Sequence, residues 1–174
     1  LAPAARPGSL GPNLLIPAGF VFYERGSDLE YNELFLGMLT RSAGRIGITI
    51  PLIWVDSPIS LRAGRELWSI PKQLAHFGAS SSKGPFRAET ADQTIGQVKF
   101  ERRVAVPLRI PITIAILQEV DVAKVHRTTV TASTSIELGT AKWTIPEGSP
   151  LRPLAAFAPL LSVRLRNARI RFGA

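Results

Sequence analysis

Lys72 stands directly after Pro71, with Leu74, Ala75 and Phe77 close behind it. Proline fixes its own φ and lacks a backbone donor, so the lysine leaves a rigid corner of the chain. Among apolar neighbours an ammonium loses solvation, which favours the neutral, nucleophilic amine. The chemistry open to such a side chain is imine formation with a carbonyl substrate. A free lysine titrates near ~10.4, so at neutral pH only about one in a few thousand is the amine. Glu33 is a second residue of interest, because Leu34, Phe35 and Leu36 follow it directly. Burying a bare carboxylate costs several kcal/mol, so Glu33 is either paired in the interior or faces solvent at an edge. Arg65 and Glu66 read equally well as a local ion pair and as substrate contacts. Trp68 reads as core, and His76 beside Phe77 reads as structural rather than as an acid or base.

The elements that must position these residues follow from local signals. Ser57 caps a helix start, Pro58 suits the first helical position, and Pro71 stops the helix before Lys72. Ile59, Ala63, Leu67 and Ile70 fall on one face, which is expected to be the buried one. β-rich runs cover residues 20–23, 31–39, 46–55, 86–91, 94–103, 112–120, 126–138, 142–145 and 162–172. Pro51 marks an edge or a bulge in its strand. The apolar alternation of the last run slips by one at Asn167, while arginines occupy its other face. Residues 78–84 (GASSSKG) read as a flexible loop, 146–150 as a turn and 154–157 as one helical turn. Many short strands with few helices predict an antiparallel sheet or barrel rather than an alternating α/β fold. The Pro- and Gly-rich stretch 1–13 reads as an irregular lead-in to a single domain over 14–174.

A family resemblance is carried by three stretches. Residues 63–75, AGRELWSIPKQLA, resemble the G-R-E-x-x-G-x-P-K-K-x-A signature of the acetoacetate decarboxylase family. Residues 29–34, LEYNEL, resemble its G-P-Y-N-E-hydrophobic segment, and 168–173, ARIRFG, its closing strand. Together they span roughly residues 14 to 174. The resemblance implies a closed or cone-shaped, mainly β barrel with a few short helices, and a homo-oligomer. It also implies Lys72 as a Schiff-base nucleophile, Glu33 as an active-site carboxylate and Arg65 as a substrate-binding residue, with no cofactor and no metal. Two departures stand out. The family's second lysine is Gln73 here, which removes the adjacent cation that tunes the nucleophile in that family. The family's upstream arginine has no placement here: Arg6 is the lone arginine of the lead-in and nothing around it matches, so that segment either lies before Leu1 or has been dispensed with.

Composition narrows the function classes. The chain has 174 residues, 45% of them hydrophobic and 20% charged, enough for a proper core. It has no cysteine and two histidines, which exclude disulfides and leave little for a zinc site. No secretory signal and no membrane-length apolar run is visible, so a cytoplasmic protein without a membrane partner is expected. The formal net charge is +8, with a pI near 10.8. The arginines are spread along the chain without a basic block or interleaved aromatics, so no nucleic-acid partner is expected. A general positive potential drawing in carboxylate substrates is the better use of this charge.

Two readings result. One is a lysine-dependent lyase acting on a small oxo acid, by decarboxylation or by related aldol or dehydration chemistry, the latter favoured by Gln73. The other is a non-catalytic relative whose pocket binds an apolar or carboxylated ligand.

Overall fold

The structure is a computed structural model that describes residues 6–7, 9–10, 13–42, 44–79, 84–121 and 124–173. In chain order its strands are β1 (Arg6–Pro7), β2 (Ser9–Leu10), β3 (Asn13–Leu14), β4 (Ala18–Tyr23), β5 (Tyr31–Ser42) and β6 (Arg45–Val55). Helix α1 (Pro58–Trp68) separates these from β7 (Lys72–Leu74), β8 (His76–Ala79), β9 (Phe86–Glu89), β10 (Thr94–Asp121) and β11 (Lys124–Thr144). A 3-10 turn at Arg152–Ala156 precedes β12 (Ser162–Phe172). The fold is mainly β, as expected.

The main sheet follows the order β1-β5-β6-β10-β11-β12, with β4 on β5, β7 on β6, and β8 and β9 beside β10. Among the described residues this path ends at β1 and at β12, so hydrogen bonds do not close the barrel that the resemblance implies. The sheet is also mixed rather than antiparallel throughout, because β6 pairs in parallel with both β7 and β10. Parallel pairing of β6 and β7 needs a crossover connection, and α1 supplies it. The lead-in 1–13, read as irregular, contributes backbone pairing at Arg6↔Arg41 and Pro7↔Thr40 and the small β2–β3 ladder. The loop predicted over 78–84 begins within β8, and its residues 80–83 lie outside the described residues.

The chain divides into two compact units. The first comprises Leu1–Leu74, Thr113–Thr131 and Arg171–Ala174. Its core is Ile50, Ile53, Ile70 and Ile116, against which Phe35, Ile48, Trp68, Val130 and Phe172 pack. Trp68 is thus a core residue, its ring 5.2 Å from that of Phe172. Pro51 sits in a bulge: Leu36 pairs with Leu52 and Met38 with Thr49, leaving Ile50 and Pro51 opposite Gly37 alone. The missing proline donor makes this the natural place for the ladder to slip. Gln118, fully inside, repairs the gap by accepting from Ile50 N (2.8 Å) and donating to Ile50 O (3.1 Å).

The second unit comprises Ala75–Ile112 and Ala132–Ile170. Ala88, Ile95, Val98 and Leu151 are buried there. Several arginines are committed to structure: Arg164 donates to Glu137 at 2.6 Å, and Arg109 donates to the carbonyls of Ser133 and Asn167. The register slip predicted at Asn167 is a left-handed residue, φ 50°. The runs 94–103 and 112–120 form one strand, β10, that passes through Pro107 and Pro111. Its pairing with β9 reaches Val98 and its pairing with β6 is at Ile116, so both prolines lie outside these two stretches of pairing. The runs 126–138 and 142–145 likewise merge into β11.

No helix among the described residues is long and apolar enough to cross a membrane.

Candidate active site

Strand register decides which side chains meet. β5 and β6 pair Glu33 with Val55 and Phe35 with Ile53; β6 and β7 pair Ile53 with Lys72 and Val55 with Leu74. Because side chains alternate along a strand, Tyr31, Glu33, Ile53, Val55 and Lys72 share one face. Gln73, paired with Trp54, belongs to the other face and is exposed. The residue that replaces the family's second lysine is therefore not beside the Lys72 ammonium.

α1 covers the Lys72 face. Its ends are as the sequence predicts: Ser57 accepts from Ser60 N, Pro58 opens the helix, and the chain leaves through Ser69 in a left-handed conformation, φ 55°. The buried face is different from the one expected. Ile59 and Leu67 are 68% and 58% exposed, and the buried helical residues are Ser60 and Gly64. The reason is local. A lysine side chain lies under the helix, and only small residues one turn apart leave room for it. A β-carbon at position 64 would come within 2.7 Å of Lys72 Cδ and Cε.

Lys72 is 4% exposed and Glu33 8%. Nζ donates to Glu33 Oε2 (3.1 Å), Ser60 Oγ (2.8 Å) and Tyr31 Oη (3.3 Å). The shell is thus polar, where Leu74, Ala75 and Phe77 suggested an apolar one; Leu74 is largely exposed. Tyr31 also donates to Glu33 Oε2 at 3.4 Å, and its ring lies 5.0 Å below Nζ. Tyr23 stacks on Tyr31 with centroids 4.4 Å apart. Burial, then the charge of Glu33, raises the Tyr23 phenol, so it stays protonated. Burial also pushes Glu33 up, while Lys72 and the Tyr31 hydroxyl pull it down; the net direction is up. A carboxylate held in this way is a stronger base than an exposed one and suited to receive a proton from its neighbour. Asn32 fixes the strand that carries these groups: its N–H and side-chain amide both donate to Asp56, at 2.7 and 2.6 Å.

The structure thus brings Lys72 and Glu33 together. Arg65 reaches Lys72 differently, its Nε donating to the main-chain oxygen of residue 72 at 2.9 Å. It does not pair with Glu66 as the alternative reading had it, and with Ser69, Ile70, Pro71 and Gln73 it lines an open surface depression. His76 is exposed. Ser60, Gly64 and Tyr23 were missed in the sequence. Tyr31 was on view as the residue two before Glu33, a spacing that puts both on one strand face. Among the described residues no cluster of three or more His, Cys, Asp or Glu side chains is placed to hold a metal ion.

A mainly β protein with a buried lysine–carboxylate pair beneath a short crossover helix is what fold and site define. The sequence matches the profile of the family described as acetoacetate decarboxylase over residues 14–171, and the chain belongs to that family. Among solved structures, acetoacetate decarboxylase from Legionella pneumophila is similar at 13% identity and TM-score 0.62, over 95% of this chain and 72% of that one. An acetoacetate decarboxylase-like enzyme from Sphingomonas wittichii is similar at 16% identity and TM-score 0.54, over 82% and 67%. The enduracididine biosynthesis enzyme MppR, solved with pyruvate, is similar at 14% identity and TM-score 0.51, over 81% and 66%. The chain therefore spans about two thirds to three quarters of the length of these structures. No curated protein matches the sequence.

Proposed function

We propose that this chain is a lysine-dependent lyase acting on a small oxo acid through a Schiff base on Lys72. The observation that supports it is the buried contact between Lys72 Nζ and Glu33 Oε2, 3.1 Å apart. A buried ammonium is costly without a partner, and a carboxylate raised by burial offers its proton somewhere to go. Proton transfer from Nζ to Glu33 leaves an amine beside a carboxylic acid. The amine attacks the ketone carbon of the substrate, and the resulting carbinolamine loses water to give the imine. The protonated imine then takes up the electron pair of a breaking bond to the adjacent carbon. With a β-keto acid that bond is to the carboxylate, which departs as carbon dioxide; with a pyruvate-like acid it is a C–H bond, which opens aldol and dehydration chemistry. In this reading the protein works as a homo-oligomer, and Arg65 would serve the substrate carboxylate only through guanidinium donors other than the Nε that holds the Lys72 carbonyl.

Incubation with acetoacetate or pyruvate followed by borohydride tests the reading. The mass of the reduced ligand is expected on Lys72 and is absent from Lys72→Ala. Labelling confined to Lys99, Lys124 or Lys142 would mean that the pair has no imine chemistry.

A further inference from the structure

We infer that Ser60 is a positioning residue for Lys72: with Gly64 one turn on, its hydroxyl holds Nζ against Glu33 whether the nitrogen carries three protons or two. The inference rests on the Schiff-base reading for its catalytic meaning, but not for its geometry.

An ammonium has three donors, and the three acceptors around Nζ are Ser60 Oγ, Glu33 Oε2 and Tyr31 Oη. Ser60 makes the shortest of the three contacts, at 2.8 Å. The partners respond differently when Nζ gives up a proton. Glu33 only accepts while it is ionised and, once it has taken the proton, can only hand it back; Tyr31 sends its own proton to Glu33. The Ser60 hydroxyl can reverse, accepting from the ammonium and donating to the lone pair of the amine. It is available for this because Ser57, three residues earlier, serves as the helix cap and takes the Ser60 N–H. Ser60 is 3% exposed and lies one helical turn from Gly64, where a β-carbon would strike the lysine methylenes. The two small residues form a trough that sets where the nitrogen sits along its arc. The charged and titratable groups facing it are Glu33 and Tyr31 from β5, with Tyr23 of β4 behind Tyr31; from α1, Arg65 reaches only the main-chain oxygen of Lys72.

Removing the hydroxyl takes an acceptor from the ammonium and a donor from the amine. The first loss is of a charge-assisted contact, about twice as strong as the neutral one, so on balance the charged form is disfavoured and the amine appears at lower pH. The second leaves the nitrogen loosely held, so its reaction slows.

Two probes separate these consequences from the reading above. Trace acetic anhydride, read as acetyl mass on Lys72 across pH, reports the amine without needing an imine; pyruvate with borohydride reports the imine. In Ser60→Ala the anhydride profile is expected to move towards acid by about one pH unit, a tenfold change in amine at fixed pH. The high-pH trapping rate with pyruvate is expected to fall about tenfold. Ser60→Thr, which keeps the hydroxyl, should restore the original anhydride profile. If Ser60→Ala does not fold, Ser60→Cys, close in size and a weak acceptor, carries the same expectation. A folded variant without the hydroxyl that keeps the wild-type anhydride profile would overturn the inference. So would a Lys72 that takes no label at any pH in the wild-type protein. A shifted anhydride profile with no pyruvate trapping in the wild type would leave Ser60 in its place and remove the Schiff-base reading instead.

Discussion

A β-carbon on residue 64 would stand 2.6 Å from Cδ of Lys72, closer than non-bonded carbons approach. The glycine of the helix is thus the counterpart of the lysine eight residues on. Gly64→Ala is expected to cost about 1–3 kcal/mol through overpacking and to displace Nζ from Glu33. Urea unfolding and borohydride trapping on the same preparation check it. Trapping at the wild-type rate would show that the methyl group is absorbed elsewhere.

Glu33→Gln keeps the size of the side chain and removes its titration, so the two proteins should differ in stability chiefly where the carboxyl changes its proton. The pH dependence has a definite sign. The Glu33 carboxyl is raised in the fold from its ordinary 4.5, mainly by burial, so the folded state holds this proton more tightly than the unfolded one. Its stabilising contribution is complete below the ordinary value and is lost as pH climbs through the raised one. The stability advantage of the wild type over Glu33→Gln should therefore shrink as pH rises above about 4.5. Denaturant midpoints for both proteins between acid and neutral pH measure it; an advantage that grows with pH would contradict the assignment.

Gln73→Lys tests whether an ammonium next in sequence is next in space. Two charges about 6 Å apart at an effective dielectric near 20 repel by roughly 3 kcal/mol. Across the sheet, at about 10 Å in water-like surroundings, the repulsion drops to roughly 0.4 kcal/mol. The pH profile of trapping at Lys72 should then move by no more than about 0.3 unit. A shift of about two units towards acid would mean that the residue 73 side chain reaches round to the Lys72 face.

Gln118→Ala should unfold the first unit more easily, because it strips both the N–H and the carbonyl of Ile50 of buried partners. Each orphaned group costs about 1–3 kcal/mol. A fall in Tm of several degrees, with Lys72 trapping per folded molecule unchanged, is expected. A loss of trapping in the folded fraction would tie Gln118 to the site instead.

Signals that act over a few residues were legible in the sequence. Ser57, Pro58 and Pro71 fix α1 and the corner before Lys72 without help from distant contacts, and Pro51 and Asn167 each mark a slip in a strand. The pairing of Lys72 with Glu33 was legible only through the family resemblance. The buried face of α1 was misread because hydropathy selects Ile59 and Leu67, whereas the space left by a lysine side chain selects Ser60 and Gly64. The parallel β6–β7 pairing was missed because it needs a helix between the strands, and the chain otherwise reads as antiparallel. Pro107 and Pro111 look like breaks until the pairings of β10 on either side of them are known.

The three partners of Nζ and the lysine itself all lie between Tyr31 and Lys72, joined by the β5–β6 hairpin and the helical crossover. Closing loops of this length costs little, since the entropic cost grows only with the logarithm of the span, and near contacts form sooner than far ones. The bridge from Gln118 to Ile50 spans 68 positions and has to wait for much more of the chain. On the ribosome or from denaturant, the lysine should therefore meet its carboxylate before that bridge forms.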